Sequence, residues 1–170
     1  MTTVLALETS CDETAVAILR GGDDHSHDLL ASEVASQVAA HEKFGGIVPE
    51  IASRNHLIYA PRLLDRATSA AKIDLAEVDA FAATSGPGLA SSLMIGASIA
   101  KGLAIGFGKP YLAVNHLEGH LLSPFFSGGI GILPISGTST GGRSNCRRHV
   151  RIIPGADLRI GNSRRLQAAH

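Results

Sequence analysis

Short apolar runs separated by polar turns open the chain and predict strands. Apolar residues at 4–7 and 15–19 flank a polar segment at 8–14, which predicts two strands joined by a hairpin turn. The stretch 29–38 predicts a third strand. The pattern therefore indicates a sheet that begins as an antiparallel meander.

A long helical pattern follows and then changes to buried strands. Pro49 suits a first helical turn, and apolar positions recur at helical spacing from Glu50 to about residue 72. Pro61 is expected to kink or break this helix. Beyond it the pattern predicts a buried strand at 79–84, a helix at 89–107 and a strand at 111–114.

Two of these elements carry further expectations. Arg54, Asn55 and His56, in the middle of the first helix, are expected to form an exposed polar face. The segment 89–107 is as apolar as a membrane span, but its serines, Lys101 and regularly spaced glycines favour a helix packed closely on a sheet. Close contacts are expected at three of those glycines, Gly96, Gly102 and Gly106.

The turn between the strand at 79–84 and the helix at 89–107 is a candidate anion site. Ser85, Gly86 and Gly88 lie where backbone N–H groups meet the positive end of a helix dipole. The turn matches neither the P-loop nor the G-x-G-x-x-G pattern. We therefore expect at most a generic phosphate or carboxylate loop.

A pair of histidines supplies the most specific chemistry. His116 and His120 are four residues apart, so they share one face of a helix at the carboxyl end of the last strand. Neutral imidazoles placed in this way can hold one transition metal ion. The alternative is two surface histidines. A zinc peptidase is excluded because Leu117 occupies the position of the glutamate base.

The first turn of the chain is rich in hydroxyl and carboxylate groups. Ser10, Asp12 and Glu13 could face a phosphate through backbone N–H groups, or a metal or water through the acids. The alternative is a solvated hairpin turn.

Composition divides the chain near Phe126. Residues 1–126 carry 8 basic and 14 acidic residues, a net charge of −6, whereas residues 127–170 carry 7 arginines and one acid, a net charge of +6. The chain as a whole has a globular composition, and its two cysteines, Cys11 and Cys146, form no disulfide framework and suit a reducing cytoplasm. We expect no membrane association.

The motifs of the first part resemble one known family. They are LETSCDET at 7–14, GGIVPEIASRNH at 45–56, SGPGL at 85–89 and NHLEGH at 115–120. Together they resemble the amino-terminal half of TsaD, the tRNA N6-adenosine threonylcarbamoyltransferase family. The resemblance implies an α/β lobe of the actin-like, Hsp70-type ATPase (ASKHA) fold, a mixed sheet with flanking helices, with the second lobe largely missing.

The resemblance also implies a reaction, together with its donor, its acceptor, its metal ion and its partner proteins. The family transfers a threonylcarbamoyl group from threonylcarbamoyl-AMP to N6 of the adenosine beside the anticodon, in tRNAs that read ANN codons. It implies Fe²⁺ or Zn²⁺ on His116 and His120, and active-site roles for Asp12 and Glu13. Ser10 and Asn115 become candidate substrate contacts. TsaB and TsaE become expected partners.

After Phe126 the family pattern is lost. Residues 127–170 are rich in Arg, Gly and Ser and lack apolar periodicity. This favours translation of the gene in a shifted frame over a basic arm that binds tRNA phosphates. No later Asp matches the family's third metal ligand, so we expect little or no transferase activity from this chain alone. A non-catalytic, TsaB-like scaffold is the alternative function.

Overall fold

The computed structural model describes residues 1–22 and 27–122, so the predictions for residues 127–170 lie outside the described part. Its strands are β1 (Thr2–Glu8), β2 (Glu13–Gly21), β3 (His27–Ser36), β4 (Ala80–Gly86) and β5 (Tyr111–Asn115). Its α-helices are α1 (Val38–Glu42), α2 (Pro49–Ala71), α3 (Ala90–Phe107) and α4 (His116–Leu122), and a 3₁₀ turn spans Leu75–Glu77. Sequence analysis missed only the short helix α1 and this turn.

The five strands form one mixed sheet in the order β3-β2-β1-β4-β5. β1, β2 and β3 pair antiparallel, and Glu8 lies opposite Ala15, so the predicted hairpin is confirmed. β4 pairs parallel with both β1 and β5. Because β1, β4 and β5 run in the same direction, their carboxyl ends meet at one edge of the sheet.

Helices α2 and α3 pack against each other and against the sheet. Alternate residues of β1 and β2 point into this core, as the period of two along a strand requires. Phe81 of β4 is fully buried and stacks near Phe107 of α3, with ring centroids 6.0 Å apart. The core is otherwise aliphatic, built from Leu5, Leu7, Val16, Ile18, Leu63, Val78 and several alanines.

Helix α2 corrects two expectations. It begins at Pro49 as predicted and continues unbroken through Pro61, so the predicted break is wrong. The hydrogen bond that proline cannot donate would go to the carbonyl of Leu57, an exposed residue, where water can replace it. The expected exposure of the polar face was wrong for His56, whose side chain is completely buried, although Arg54 is exposed.

Helix α3 packs through a narrow stripe of small residues, Ser92, Gly96, Ala100 and Ala104. Gly96 makes the predicted close contact, but Gly102 and Gly106 have open space where a Cβ would lie, so that expectation was wrong for both. By length and composition alone, α3 is long and apolar enough to cross a membrane. Its packing on the sheet matches the expected core helix along this one stripe, while Met94 and Ile105 are exposed.

Candidate functional site

The site lies where the parallel strands end. Glu8 is the last residue of β1, Thr84 lies near the end of β4, and His116 follows β5 directly. Because these three strands are neighbours in register, residues far apart in sequence meet at this edge. Thr84 donates a short hydrogen bond to Glu8 Oε2, and His116 Nδ1 lies 3.5 Å from the same oxygen.

The two histidines of α4 face each other. Their ring centroids are 4.4 Å apart, and their Nε2 atoms are 3.1 Å apart. Two imidazole nitrogens bound to one tetrahedral zinc ion at about 2.0–2.1 Å would be about 3.3–3.4 Å apart. The observed separation is therefore close to what one shared ion needs, and the donor set fits a transition metal such as zinc or iron.

A contact with the first turn holds His116 from the other side of its ring. Ser10 Oγ lies 3.1 Å from His116 Nδ1, and the Ser10 N–H donates to Glu8 Oε1 at 2.5 Å. The ring is therefore held at Nδ1 by a hydroxyl and a carboxylate, while Nε2 points toward His120. Glu8 was not among the predicted site residues.

The charge on Glu8 is stabilised by its neighbours. Burial raises the pKa of this carboxyl, but hydrogen bonds from Ser10 and Thr84 and the proximity of His116 outweigh it, so the pKa of Glu8 lies below its ordinary value. Glu8 is thus ionised at neutral pH and acts only as a hydrogen-bond acceptor.

The first turn is fixed to helix α3 by Thr9. Its hydroxyl donates to the carbonyl of Ser92 at 2.8 Å and accepts from the N–H of Gly96 at 3.2 Å. Ser10 is held similarly, because its carbonyl accepts from the N–H of Leu89 at 2.8 Å. The turn is therefore positioned by helix α3 and by the loop that precedes it.

A buried histidine fixes the same turn from helix α2. His56 Nε2 lies 3.2 Å from the carbonyl oxygen of Cys11, and its Nδ1 lies 2.8 Å from Thr14 Oγ1 and 3.2 Å from Gln37 Nε2. We assign the Nε2–H tautomer, because a carbonyl can only accept. Burial lowers the pKa of His56, more strongly than the Cys11 carbonyl and nearby acids raise it, so the ring is neutral.

Two acids of this turn occupy less buried positions. Asp12 is half-buried, and its carbonyl accepts from the N–H of Gln37 at 2.9 Å, whereas Glu13 is exposed at the start of β2. The carboxylate that contacts His116 from this part of the chain is therefore that of Glu8 rather than that of either predicted acid.

Asn115 and the candidate anion loop make contacts within the protein. Asn115 Oδ1 accepts from the N–H of Leu117 at 2.9 Å, which caps helix α4. Ser85 Oγ donates to the carbonyl of Val114 at 3.1 Å. Gly86 has a positive φ of 141° and precedes a cis peptide bond, and Gly88 lies directly against Ser10. This loop thus packs against the first turn.

Within residues 1–22 and 27–122, no group of three or more His, Cys, Asp or Glu side chains is arranged to hold a metal ion. The described part of the chain therefore offers two facing imidazoles and a carboxylate behind one of them. Sequence reasoning missed Glu8, Thr9, His56 and Thr84. The signal for Glu8 was its place as the last residue of a strand that precedes a polar turn.

The sequence matches a known family over most of its length. The model for TsaD, tRNA N6-adenosine threonylcarbamoyltransferase, matches residues 28–148. The tRNA N6-adenosine threonylcarbamoyltransferase of Kosmotoga olearia is 53% identical over 124 residues, which are 73% of this chain and 36% of that protein. The enzyme of the same name from Geobacter sp. is 46% identical over 145 residues, 85% of this chain and 41% of that protein. This chain thus spans well under half the length of these relatives.

A solved structure agrees with the fold. A Pseudomonas aeruginosa protein described as similar to the peptidase YeaZ has a TM-score of 0.51 and 27% identity, covering 75% of this chain and 50% of that one. YeaZ from Pseudomonas aeruginosa itself gives a TM-score of 0.46 at 29% identity, covering 68% and 44%. The predicted fold class, a mixed sheet with flanking helices of the actin-like, Hsp70-type class, is confirmed.

Proposed function

Because this chain belongs to the TsaD family of tRNA N6-adenosine threonylcarbamoyltransferases, we propose that it takes part in threonylcarbamoyladenosine formation in tRNA. The donor would be threonylcarbamoyl-AMP, and the acceptor N6 of the adenosine beside the anticodon in tRNAs that read ANN codons. The observation that carries the proposal is the pair of Nε2 atoms, 3.1 Å apart, presented at the carboxyl edge of the sheet.

His116 and His120 would hold one Fe²⁺ or Zn²⁺ ion. The separation of their Nε2 atoms supports this assignment, as does the hydrogen bonding at His116 Nδ1, which leaves Nε2 available. When bound, the ion supplies Lewis-acid stabilisation of charge on the carbamate of the donor. Since catalytic zinc sites normally have three protein ligands, a site with these two alone would bind metal weakly.

The acceptor side of the reaction would involve the first turn. Asp12 is half-buried in the turn that contacts His116 through Ser10, so its carboxylate is the candidate to orient or deprotonate the exocyclic amine. Glu13, exposed beside it, is the second candidate. Ser10 is a candidate contact for the substrate. Asn115 is the other candidate substrate contact, and its Oδ1 also caps α4.

Helices α2 and α3 are the proposed surface for TsaB. They pack together, with Ser53 Oγ donating to Ser91 Oγ at 2.7 Å, and both carry exposed large apolar side chains. Ile105 is 82% exposed and Met94 67% on α3, and Leu57 is 59% exposed on α2. Such an apolar surface is typical of a protein–protein contact. TsaE and tRNA complete the proposed set of partners.

The alternative function is a non-catalytic scaffold like TsaB. The likeness to a structure similar to YeaZ, which is TsaB, supports it. The two functions differ at the histidine pair. A scaffold has no chemical need for two facing imidazoles, whereas the transferase would use them to hold a metal ion. Metal binding at His116 and His120 therefore discriminates between the two functions.

The decisive experiment measures metal binding and tRNA modification on the same protein. We expect the 170-residue chain to bind Zn²⁺, and His116→Ala or His120→Ala to abolish binding, because one imidazole alone holds zinc poorly. His27→Ala, which removes a histidine of β3, is the control and should bind as the parent does.

Modification is then assayed with TsaB, TsaE, threonylcarbamoyl-AMP and tRNA. We expect little or no turnover from this chain, since the described residues supply only two facing imidazoles. Turnover comparable to that of a full-length enzyme would refute the low-activity expectation. Absence of Zn²⁺ binding by the parent chain would refute the proposed metal site and favour the scaffold.

A further inference from the structure

We propose that Glu8 is a positioning residue that, together with the Ser10 hydroxyl, holds the His116 ring by its Nδ1 atom so that Nε2 is presented to a metal ion. The inference rests on the proposed metal site and adds a residue to it. Glu8 would not bind the ion. It acts through His116, in the way that a carboxylate behind a metal-bound histidine fixes the ring and its tautomer.

The geometry at His116 Nδ1 carries the first step. Two oxygen atoms approach this atom, Ser10 Oγ at 3.1 Å and Glu8 Oε2 at 3.5 Å. A carboxylate can only accept, so the contacts are favourable when Nδ1 carries the proton. In the neutral ring the lone pair then lies on Nε2, the atom that faces His120 at 3.1 Å.

The second step is that Glu8 is itself held firmly. Its Oε1 accepts from the Ser10 N–H at 2.5 Å, and its Oε2 accepts from the Thr84 hydroxyl. These donors come from the first turn and from β4, while Glu8 ends β1 and His116 follows β5. One carboxylate therefore connects the ends of three neighbouring parallel strands, which fixes its position relative to the ring.

The third step concerns what a substitution would change. Glu8→Gln keeps the size of the side chain but replaces one acceptor oxygen by an NH₂ group, which can only donate. An NH₂ group at the Oε1 position meets the Ser10 N–H, and one at the Oε2 position meets the His116 Nδ1–H, while the Thr84 hydroxyl can rotate to accept from it. The variant therefore cannot satisfy all three contacts, and the preference for the Nδ1–H tautomer is reduced.

The test is a Zn²⁺ titration of the full 170-residue chain by calorimetry. Glu8→Gln should raise the dissociation constant by about 10- to 100-fold, the usual cost of losing the partner of a metal-bound histidine. Glu118→Gln removes the same charge from an exposed residue of α4, next to the pair, and should bind as the parent does. Equal affinity of Glu8→Gln and the parent would overturn the proposal.

A second measurement does not depend on the variant or on metal. Nitrogen-15 NMR of the metal-free parent at about pH 8, where an unperturbed imidazole is neutral, reports the tautomer of each histidine. We expect the Nδ1–H form at His116, and the Nε2–H form would overturn the proposal even if Glu8→Gln fails to fold. If the parent binds no Zn²⁺ but shows the Nδ1–H form, the metal site fails while the positioning by Glu8 stands.

Discussion

The contact between Thr9 and Gly96 predicts that the same glycine-to-alanine change has opposite effects on stability at two positions of helix α3. A Cβ at Gly96 would lie 2.5 Å from Thr9 Oγ1 and 3.3 Å from its Cγ2, and Thr9 is buried and bonded to both Ser92 and Gly96. A Cβ at Gly102 would meet nothing within 4 Å. Gly96→Ala and Gly102→Ala are therefore the same chemical change with different surroundings.

The magnitudes follow from two competing effects. Alanine is favoured over glycine within a helix by up to about 1 kcal/mol, which should make Gly102→Ala stabilising by about 0.5–1 kcal/mol. At Gly96 the same gain is opposed by overpacking of about 1–3 kcal/mol. If Thr9 turns away instead, it loses two hydrogen bonds of about 1 kcal/mol each. We expect Gly96→Ala to be destabilising by about 1–2 kcal/mol.

The assay is urea unfolding of the full chain and both variants, followed by circular dichroism. Zn²⁺ affinity is measured in parallel, because Thr9 adjoins Glu8 and Ser10 and its displacement should weaken the contact with His116. A Gly96→Ala variant as stable as Gly102→Ala would refute the reasoning, since it would mean that Thr9 yields at no cost.

Three further predictions concern two residues of helix α2 and a glycine that packs against the first turn. Burial lowers the pKa of His56, so between this folded pKa and about pH 6.5 the unfolded chain binds more protons than the native chain. The contribution of His56 to the free energy of unfolding should therefore be complete above about pH 6.5 and be lost as the pH is lowered through the folded pKa. In urea titrations at several pH values, the free energy of unfolding of His56→Gln should depend less steeply on pH than that of the parent. Equal slopes for the two proteins would contradict this prediction. Pro61→Ala should raise the free energy of unfolding by about 1–2 kcal/mol, because it restores a helical hydrogen bond. An unchanged or lower unfolding midpoint in urea would show that the helix accommodates the proline without cost. Gly88→Ala should lower stability by about 1–3 kcal/mol, since its Cβ would lie 2.7 Å from the Ser10 carbonyl oxygen, and should also weaken Zn²⁺ binding; parent-like values in both titrations would exclude a tight contact.

The elements of the fold could be read from local patterns. Strands β1 and β2 and helix α2 follow from alternation, helical spacing and a proline at the first turn, which depend only on neighbours in sequence. The placement of His116 and His120 on one helix after β5 follows from the same reasoning. These predictions succeed because each residue's neighbours along the chain determine its conformation.

The parts that could not be predicted depend on contacts between distant segments. Glu8 meets Thr84 and His116, residues 76 and 108 positions away, and only the parallel order of β1, β4 and β5 brings them together. His56 looks like part of an exposed polar run until α2 packs on β2 and places its ring beside Thr14. Gly96 and Gly102 look alike in sequence, and only the position of Thr9 separates them.

The attachment of Thr9 to helix α3 restricts the movement of the sheet edge that carries His116. A partner that pressed on the outer surface of α3 and slid it along the sheet would carry the Ser92 carbonyl and the Gly96 N–H with it, and Thr9 would have to follow. Glu8 and Ser10 flank Thr9 in the chain, and both contact His116, so that movement would also shift the His116 ring. This edge of the sheet therefore takes its alignment from a helix whose outer side carries exposed apolar residues.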